Sequence, residues 1–207
     1  MAVNESHYLQ ACAWAGEDVA QGSVGAGRGM SCFSLKGGIG TASRRAGTHT
    51  VGALVLANFG LLPNLLIAGQ PVGRQFATAQ QAEAEKGSII MLVATDAPLD
   101  ARNLQRLAAR AVFALARTGS TYSNGSGDFA IAFSTAAGNR VTNAAGAQAR
   151  TFLPTDAVSG LFEAALDATE EAVYNSLLKA VDTTGNGRTV RAIPVQPLRD
   201  LLKKYGR

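Results

Sequence analysis

Two cysteines, two histidines and one tryptophan are all that 207 residues contain of these types, and each shortage removes a class of protein. Cys12 and Cys32 are too few and too far apart for a disulfide framework or a zinc site, and two isolated thiols read as small buried residues in a reduced compartment. No bridge is expected. His7 and His49 have no histidine or carboxylate at metal-ligand spacing, so neither a catalytic metal nor another cofactor is expected. Charged residues make up only 16% of the chain, the net charge is +4, and no Lys/Arg run exceeds two residues. Nucleic acid is therefore a poor partner. No run approaches the length that crosses a bilayer, and no basic segment followed by an apolar core opens the chain. A soluble cytoplasmic protein is expected, or a periplasmic one where an export signal has been lost upstream.

What remains is globular. Hydrophobic residues make up 47%, enough for a substantial core, and the length suits one domain over residues 1–207. Apolar residues at Tyr8, Ala11, Cys12, Ala15 and Val19 predict an amphipathic helix over Asn4 to Gln21, ended by Gly22. Gly22 to Gly40 is glycine-rich, broken by a short strand at Met30 to Leu35. A stronger strand spans Thr48 to Leu56, followed by loop from Leu61 to Gly87 with a helical or disordered stretch at Thr78 to Glu85.

Beyond Gly87 the pattern is cleaner. The strand Ser88 to Ala94 leads through Thr95 to Asp100, a helix-start signal, into a helix with Leu104, Leu107, Ala111 and Leu115 on one face. Phe129 to Ser134 reads as a strand. A long helix opens at Thr155 or Asp156 and ends near Val181, Thr184 to Gly187 is a turn, and Pro197 to Tyr205 closes the chain as a helix. Strands with helices outside them, not in strict alternation, predict a layered α/β sandwich.

The point richest in chemistry is the Gly87-Ser88 junction, where a charged, small-residue segment meets a buried strand. A hydroxyl at that position becomes a catalytic N-terminus if the preceding bond is cut, and glycine leaves the carbonyl open to attack while tolerating a strained backbone. The same two residues are equally a turn before a strand. Gly25 to Gly29 and Lys36 to Gly40 superficially resemble phosphate loops, but no Gly-x4-Gly-Lys-Ser/Thr is present. These glycines read as close backbone packing, with Lys36 and Arg44 as contacts that shape a site. Asp182, Thr184 and Asn186 mimic half a calcium loop, but its twelfth position is Ile193, so a helix-ending turn is the reading.

Four blocks in order, Gly37-Gly-Ile-Gly-Thr-Ala-Ser-Arg44, Val51 to Gly60, Ser88 to Leu99 and Ser123-Asn-Gly-Ser-Gly-Asp128, closely resemble the P1 peptidase family. That family contains the self-processing L-aminopeptidase/D-Ala-esterase/amidases and the β-peptidyl aminopeptidases (DmpA/BapA-like). The resemblance implies an αββα sandwich similar to the N-terminal-nucleophile hydrolases, with two sheets face to face between helical layers, of which this chain looks like the C-terminal portion. The upstream part that contributes outer strands and a site tyrosine would be missing.

The resemblance also implies self-cleavage between Gly87 and Ser88, giving segments 1–87 and 88–207, with Ser88 as nucleophile. Its freed α-amine, with an ordinary pKa near 8, supplies or helps supply the base. Ser126 and Asp128 match the family's second serine and acidic residue, Asp128 being one methylene shorter than the glutamate of several relatives. Asn58 matches the oxyanion asparagine, a donor type worth on the order of 10²–10³ in rate. Substrates would be peptides, amino-acid amides or esters, hydrolysed through an acyl-enzyme by a homo-oligomer of processed chains. Two other readings stand beside this one: acyl transfer like that of the ornithine acetyltransferases, which use threonine where Ser88 stands, and a truncated non-catalytic remnant completed by another polypeptide.

Overall fold

A computed structural model describes residues 3–77, 87–143 and 145–206. Chain order runs α1 (Glu5–Ala13), β1 (Ser31–Cys32), β2 (Leu35–Lys36), β3 (Gly38–Ala46), β4 (His49–Asn58), α2 (Gly73–Phe76), β5 (Gly87–Thr95), α3 (Ala101–Thr118), β6 (Ser126–Ser134), α4 (Ser159–Leu178), β7 (Thr183–Gly185), β8 (Arg188–Val190) and α5 (Val195–Lys204). The main sheet has the order β3-β4-β5-β6. Its first two pairings are antiparallel, and β5 runs parallel to β6. A parallel pair needs a crossover, and α3 supplies it.

Alternation along the strands decides what each face meets. Val51, Ala53, Val55 and Ala57 of β4, with Ile89, Met91 and Val93 of β5, are buried against the helices. From the helix side come Leu107, Ala111 and Leu115 of α3, and Leu161, Ala165, Ala168, Ala172 and Leu177 of α4. Each large aliphatic side chain so buried contributes about 1.5–3 kcal/mol. Asp100 caps α3, accepting a hydrogen bond from the Asn103 N–H at 2.8 Å, and Gly119 ends it in the left-handed conformation with φ 99°. Arg106 and Arg110 lie over the Phe162 ring at 4.9 and 4.1 Å, closing the α3–α4 seam.

The other face of the sheet is open. Ile39, Leu56, Ile90 and Phe129 form one cross-strand row, and Thr41, Leu54, Leu92 and Ile131 the next. The expected sandwich is thus represented among the described residues by one large sheet and one helical layer.

Several expectations change. Strand β3 stands where glycine-rich loop was read. A Cβ on Gly40 would overlap the Ala172 carbonyl oxygen, so α4 rests directly on strand backbone there, while Gly38 packs against Gly22 and Gly27. The reading of the glycines as close packing holds for Gly27, Gly37, Gly38 and Gly40 but not for Gly25 and Gly29, where a Cβ would meet nothing within 4 Å. Met30 to Leu35 is a hairpin, β1 turning into β2 at Phe33 and Ser34, both at positive φ. The first helix ends at Ala13 and buries none of its residues, because Gln21 and Gly22 turn instead to the edge of β3. The Gln21 Oε1 accepts from the Thr41 N–H at 2.8 Å, and Gly22 bridges Ile39. Cys32 is buried as expected but Cys12 is exposed, and no disulfide joins them. The Asp182 region turns within the β7–β8 hairpin, at Asn186 and Gly187, rather than ending a helix. The stretch Thr78 to Glu85 lies outside the described residues, and no helix among them is long and apolar enough to cross a membrane.

Candidate active site

Adjoining ends of β4, β5 and β6 bring the sequence-selected residues together. Asn58 pairs with Ser88, Ser88 with Gly127, and Gly87 with Ser126. The Ser88 Oγ accepts a hydrogen bond from the Gly127 N–H at 3.1 Å. On the next residues of β6, the Ser126 hydroxyl donates to the Asp128 carboxylate at 2.6 Å. The shorter aspartate therefore still reaches the serine. Alternation puts Ser88 and Asn58 on the open face and Asp128, opposite Ile89, on the helix-facing side.

Glycine at 87 has a steric cause. A Cβ there would overlap the Asn58 carbonyl oxygen and lie 3.3 Å from the Asn58 Nδ2. The Asn58 amide is itself oriented, its Oδ1 accepting from the Ser31 N–H at 3.0 Å, which turns the amide nitrogen away from β1 and toward Gly87.

Ser31 owes its place to the strained hairpin. Phe33 at φ 50° and Ser34 at φ 61° occupy a region that costs of order 1–3 kcal/mol for a side-chain-bearing residue. Burial of Phe33, edge-on to Phe59 at 5.1 Å, and the 2.7 Å bond from its N–H to the Phe59 carbonyl hold it there. Below the hairpin the fully buried Lys36 ammonium donates to the carbonyls of Gly27, Met30 and Gly37 at 2.7, 2.5 and 2.9 Å, and desolvation lowers its pKa from 10.5. Lys36 thus fastens the glycine-rich loop to the hairpin. Arg44, the other expected contact, instead pairs with Glu171 of α4 at 2.5 Å, toward the opposite end of β3.

Sequence reasoning missed Tyr122. Its hydroxyl donates to the Val112 carbonyl at 2.6 Å and accepts from the Ala116 N–H at 3.1 Å, inserting into one rung of the α3 ladder. Desolvation, the largest cause, and the nearby Asp128 charge raise its pKa from 10.0. The phenol pins the segment that carries Ser126 and Asp128. A positive φ of 50° at Tyr122 carries no sequence signal beyond the glycine-rich surroundings.

A four-stranded sheet backed by two helices, with a serine at the start of an inner strand, is an α/β arrangement of the kind found in the Ntn hydrolase fold. Solved structures agree. The PH0078 protein from Pyrococcus horikoshii OT3 superposes with a TM-score of 0.92 at 45% identity, covering 100% of this chain and 58% of that one. The L-aminopeptidase D-Ala-esterase/amidase from Ochrobactrum anthropi, described as a new variant among the Ntn hydrolase fold, superposes at 0.84 with 40% identity, over 93% of this chain and 55% of that one. The chain belongs to peptidase family S58, whose model matches residues 1–190. Among curated proteins it is 43% identical over 226 aligned residues to the β-peptidyl aminopeptidase BapA of Sphingosinicella microcystinivorans, across 99% of this chain and 57% of the relative. The chain thus spans a little over half the length of these relatives.

Proposed function

We propose that the chain carries the catalytic centre of a self-processing serine aminopeptidase. The observation that carries the reading is the convergence of Gly87-Ser88, Asn58 and the Ser126–Asp128 pair at one end of the sheet. In the first reaction the Ser88 Oγ attacks the Gly87 carbonyl carbon, the C–N bond breaks, and the resulting ester is hydrolysed by water. The Asn58 Nδ2, beside Gly87, is the donor for the developing oxyanion. Cleavage frees the Ser88 α-amine, a base with an ordinary pKa near 8, next to its own hydroxyl. In the second reaction that hydroxyl attacks the carbonyl after a substrate's N-terminal residue, the amine, alcohol or peptide remainder departs, and water resolves the acyl-enzyme. The Ser126–Asp128 pair polarises the centre, and Gly127 holds Ser88 from the backbone.

Denaturing mass spectrometry of purified protein should show fragments of 87 and 120 residues, and Ser88→Ala should remain whole. A wild-type chain still intact after prolonged incubation would sink the proposal. One observation favours a second reading, in which this chain acts only when another polypeptide, or further chain, covers its open face: Phe129 is 64% and Ile131 59% exposed there, in rows of apolar neighbours. Size-exclusion chromatography separates the two. Fragments from the chain alone support the first reading, and a soluble, folded, unprocessed species supports the second. Assembly of processed chains into a homo-oligomer is read from the same column.

A further inference from the structure

A cleft of about 830 Å³ lies between the glycine-rich loop and the β7–β8 hairpin. Its charge is one-sided. Arg28 and Arg188 line it, Lys36 forms part of its wall, and no aspartate or glutamate contributes. Neither arginine side chain has an ion-pair partner among the described residues, and Lys36 is held by three carbonyl oxygens with no carboxylate. The nearby Asp182 is already engaged by Arg191 at 2.6 Å and by the Ala192 N–H at 2.8 Å. Arg28 and Arg188 are exposed, and two unpaired guanidiniums at one cleft with no carboxylate among its lining residues make it complementary in charge to an anion.

Ser31 ties this cleft to the candidate site. It lines the cleft while its N–H holds the Asn58 Oδ1, and Asn58 stands opposite Ser88. An aminopeptidase substrate carries an ammonium on the residue that becomes the acyl group and, when it is a short peptide, a carboxylate at its far end. The two guanidiniums repel the first and attract the second. We propose that the cleft is the subsite for the departing part of the substrate, with Arg28 and Arg188 binding its C-terminal carboxylate, so that short peptides with a free carboxylate are the substrate class. The proposal rests on the aminopeptidase reading for its orientation, and the volume falls in the ordinary range for small-ligand sites and holds one to a few residues.

Binding is measured by calorimetry on the 207-residue chain, with N-acetyl-Ala-Ala, its C-terminal amide, and N-acetyl-Ala-Asp α-amide, whose side-chain carboxylate is free, as the acidic side-chain probe. These ligands have no reactive amine, so the result does not depend on self-cleavage or turnover. The free acid should bind about tenfold tighter than the amide, as two exposed charge contacts allow. An Arg28→Gln/Arg188→Gln double variant should lose that difference, and because both side chains are exposed it should keep the wild-type circular dichroism. Equal binding of acid and amide, no binding of either, or a preference that survives in the double variant overturns the proposal. A capped aspartyl probe as tight as the free acid overturns the C-terminal assignment. If the acid preference is present but the chain neither cleaves nor hydrolyses dipeptides, the aminopeptidase reading fails and the carboxylate site stands.

Discussion

Replacing Gly87 by alanine tests the geometry of the junction more closely than removing the nucleophile does. The added Cβ would overlap the Asn58 carbonyl oxygen, and that oxygen belongs to a strand held on both sides, by β3 and by β5. The overlap is relieved only by moving the first residues of β5 away from β4. Overpacking of this kind costs about 1–3 kcal/mol, to be read as a lowered urea midpoint. The same movement draws the Gly87 carbonyl from the Asn58 Nδ2, and a misplacement of about 1 Å at a reacting centre costs on the order of 10²-fold in rate. Intact mass followed over time should therefore show fragments appearing at least about a hundred times more slowly than in wild type, with Ser88→Ala as the uncut standard. Cleavage at the wild-type rate would refute the steric argument.

Asn58→Ala removes the proposed oxyanion donor and leaves the Ser31 N–H without its acceptor; fragment formation should slow by about 10²–10³, and urea unfolding should show a loss of about 1–3 kcal/mol. Tyr122→Phe restores the helical rung between Val112 and Ala116 but releases the segment carrying Ser126 and Asp128. Stability should change by less than about 1 kcal/mol while the processing rate, followed by intact mass, falls; an unchanged rate would remove Tyr122 from any positioning role. Tyr174 is kept protonated well above its ordinary 10.0 by burial first and by its hydrogen bond to Glu170. A raised folded-state pKa gives stability that is complete below pH 10 and is lost as the pH climbs toward the folded value. Wild type should therefore lose stability above pH 10 faster than Tyr174→Phe in urea titrations, and parallel curves would refute the assignment.

The legible parts of the fold were those whose side chains announce their environment. Strand β5 is a run of large apolar residues because both of its neighbours are strands, and α3 and α4 show three- and four-residue spacing because each buries one face on that sheet. Strand β3 was hidden by the same physics. Gly40 leaves room for the Ala172 carbonyl of α4 and Gly38 for the backbone of Gly22 and Gly27, and a strand stripped of side chains by close packing looks like a loop. The first helix was over-read for the converse reason: Tyr8, Ala11 and Cys12 have helical spacing, yet no core element lies opposite them, so the period ends at Ala13.

The candidate site divides along a similar line. Ser88 could be picked out from its junction with Gly87, whereas Ser126, Asp128 and Asn58, which locally read as turn residues, could be picked out through the family resemblance of the blocks that carry them. Their relation could not, because it depends on register: Asn58 meets Ser88 only because β4 and β5 pair as they do, and a one-residue slip would move Ser88 to the helix side. The backbone groups that complete the arrangement, the N–H of Gly127 on Ser88 and the N–H of Ser31 on Asn58, have no residue identity for a sequence to display. What fixes them is packing elsewhere, in the buried Phe33 turn, the Lys36 clamp and the phenol of Tyr122. The chemistry is therefore written locally while its alignment is distributed over the hairpin, the glycine-rich loop and α3, and substitutions in those three elements should slow processing without touching any of the reacting groups.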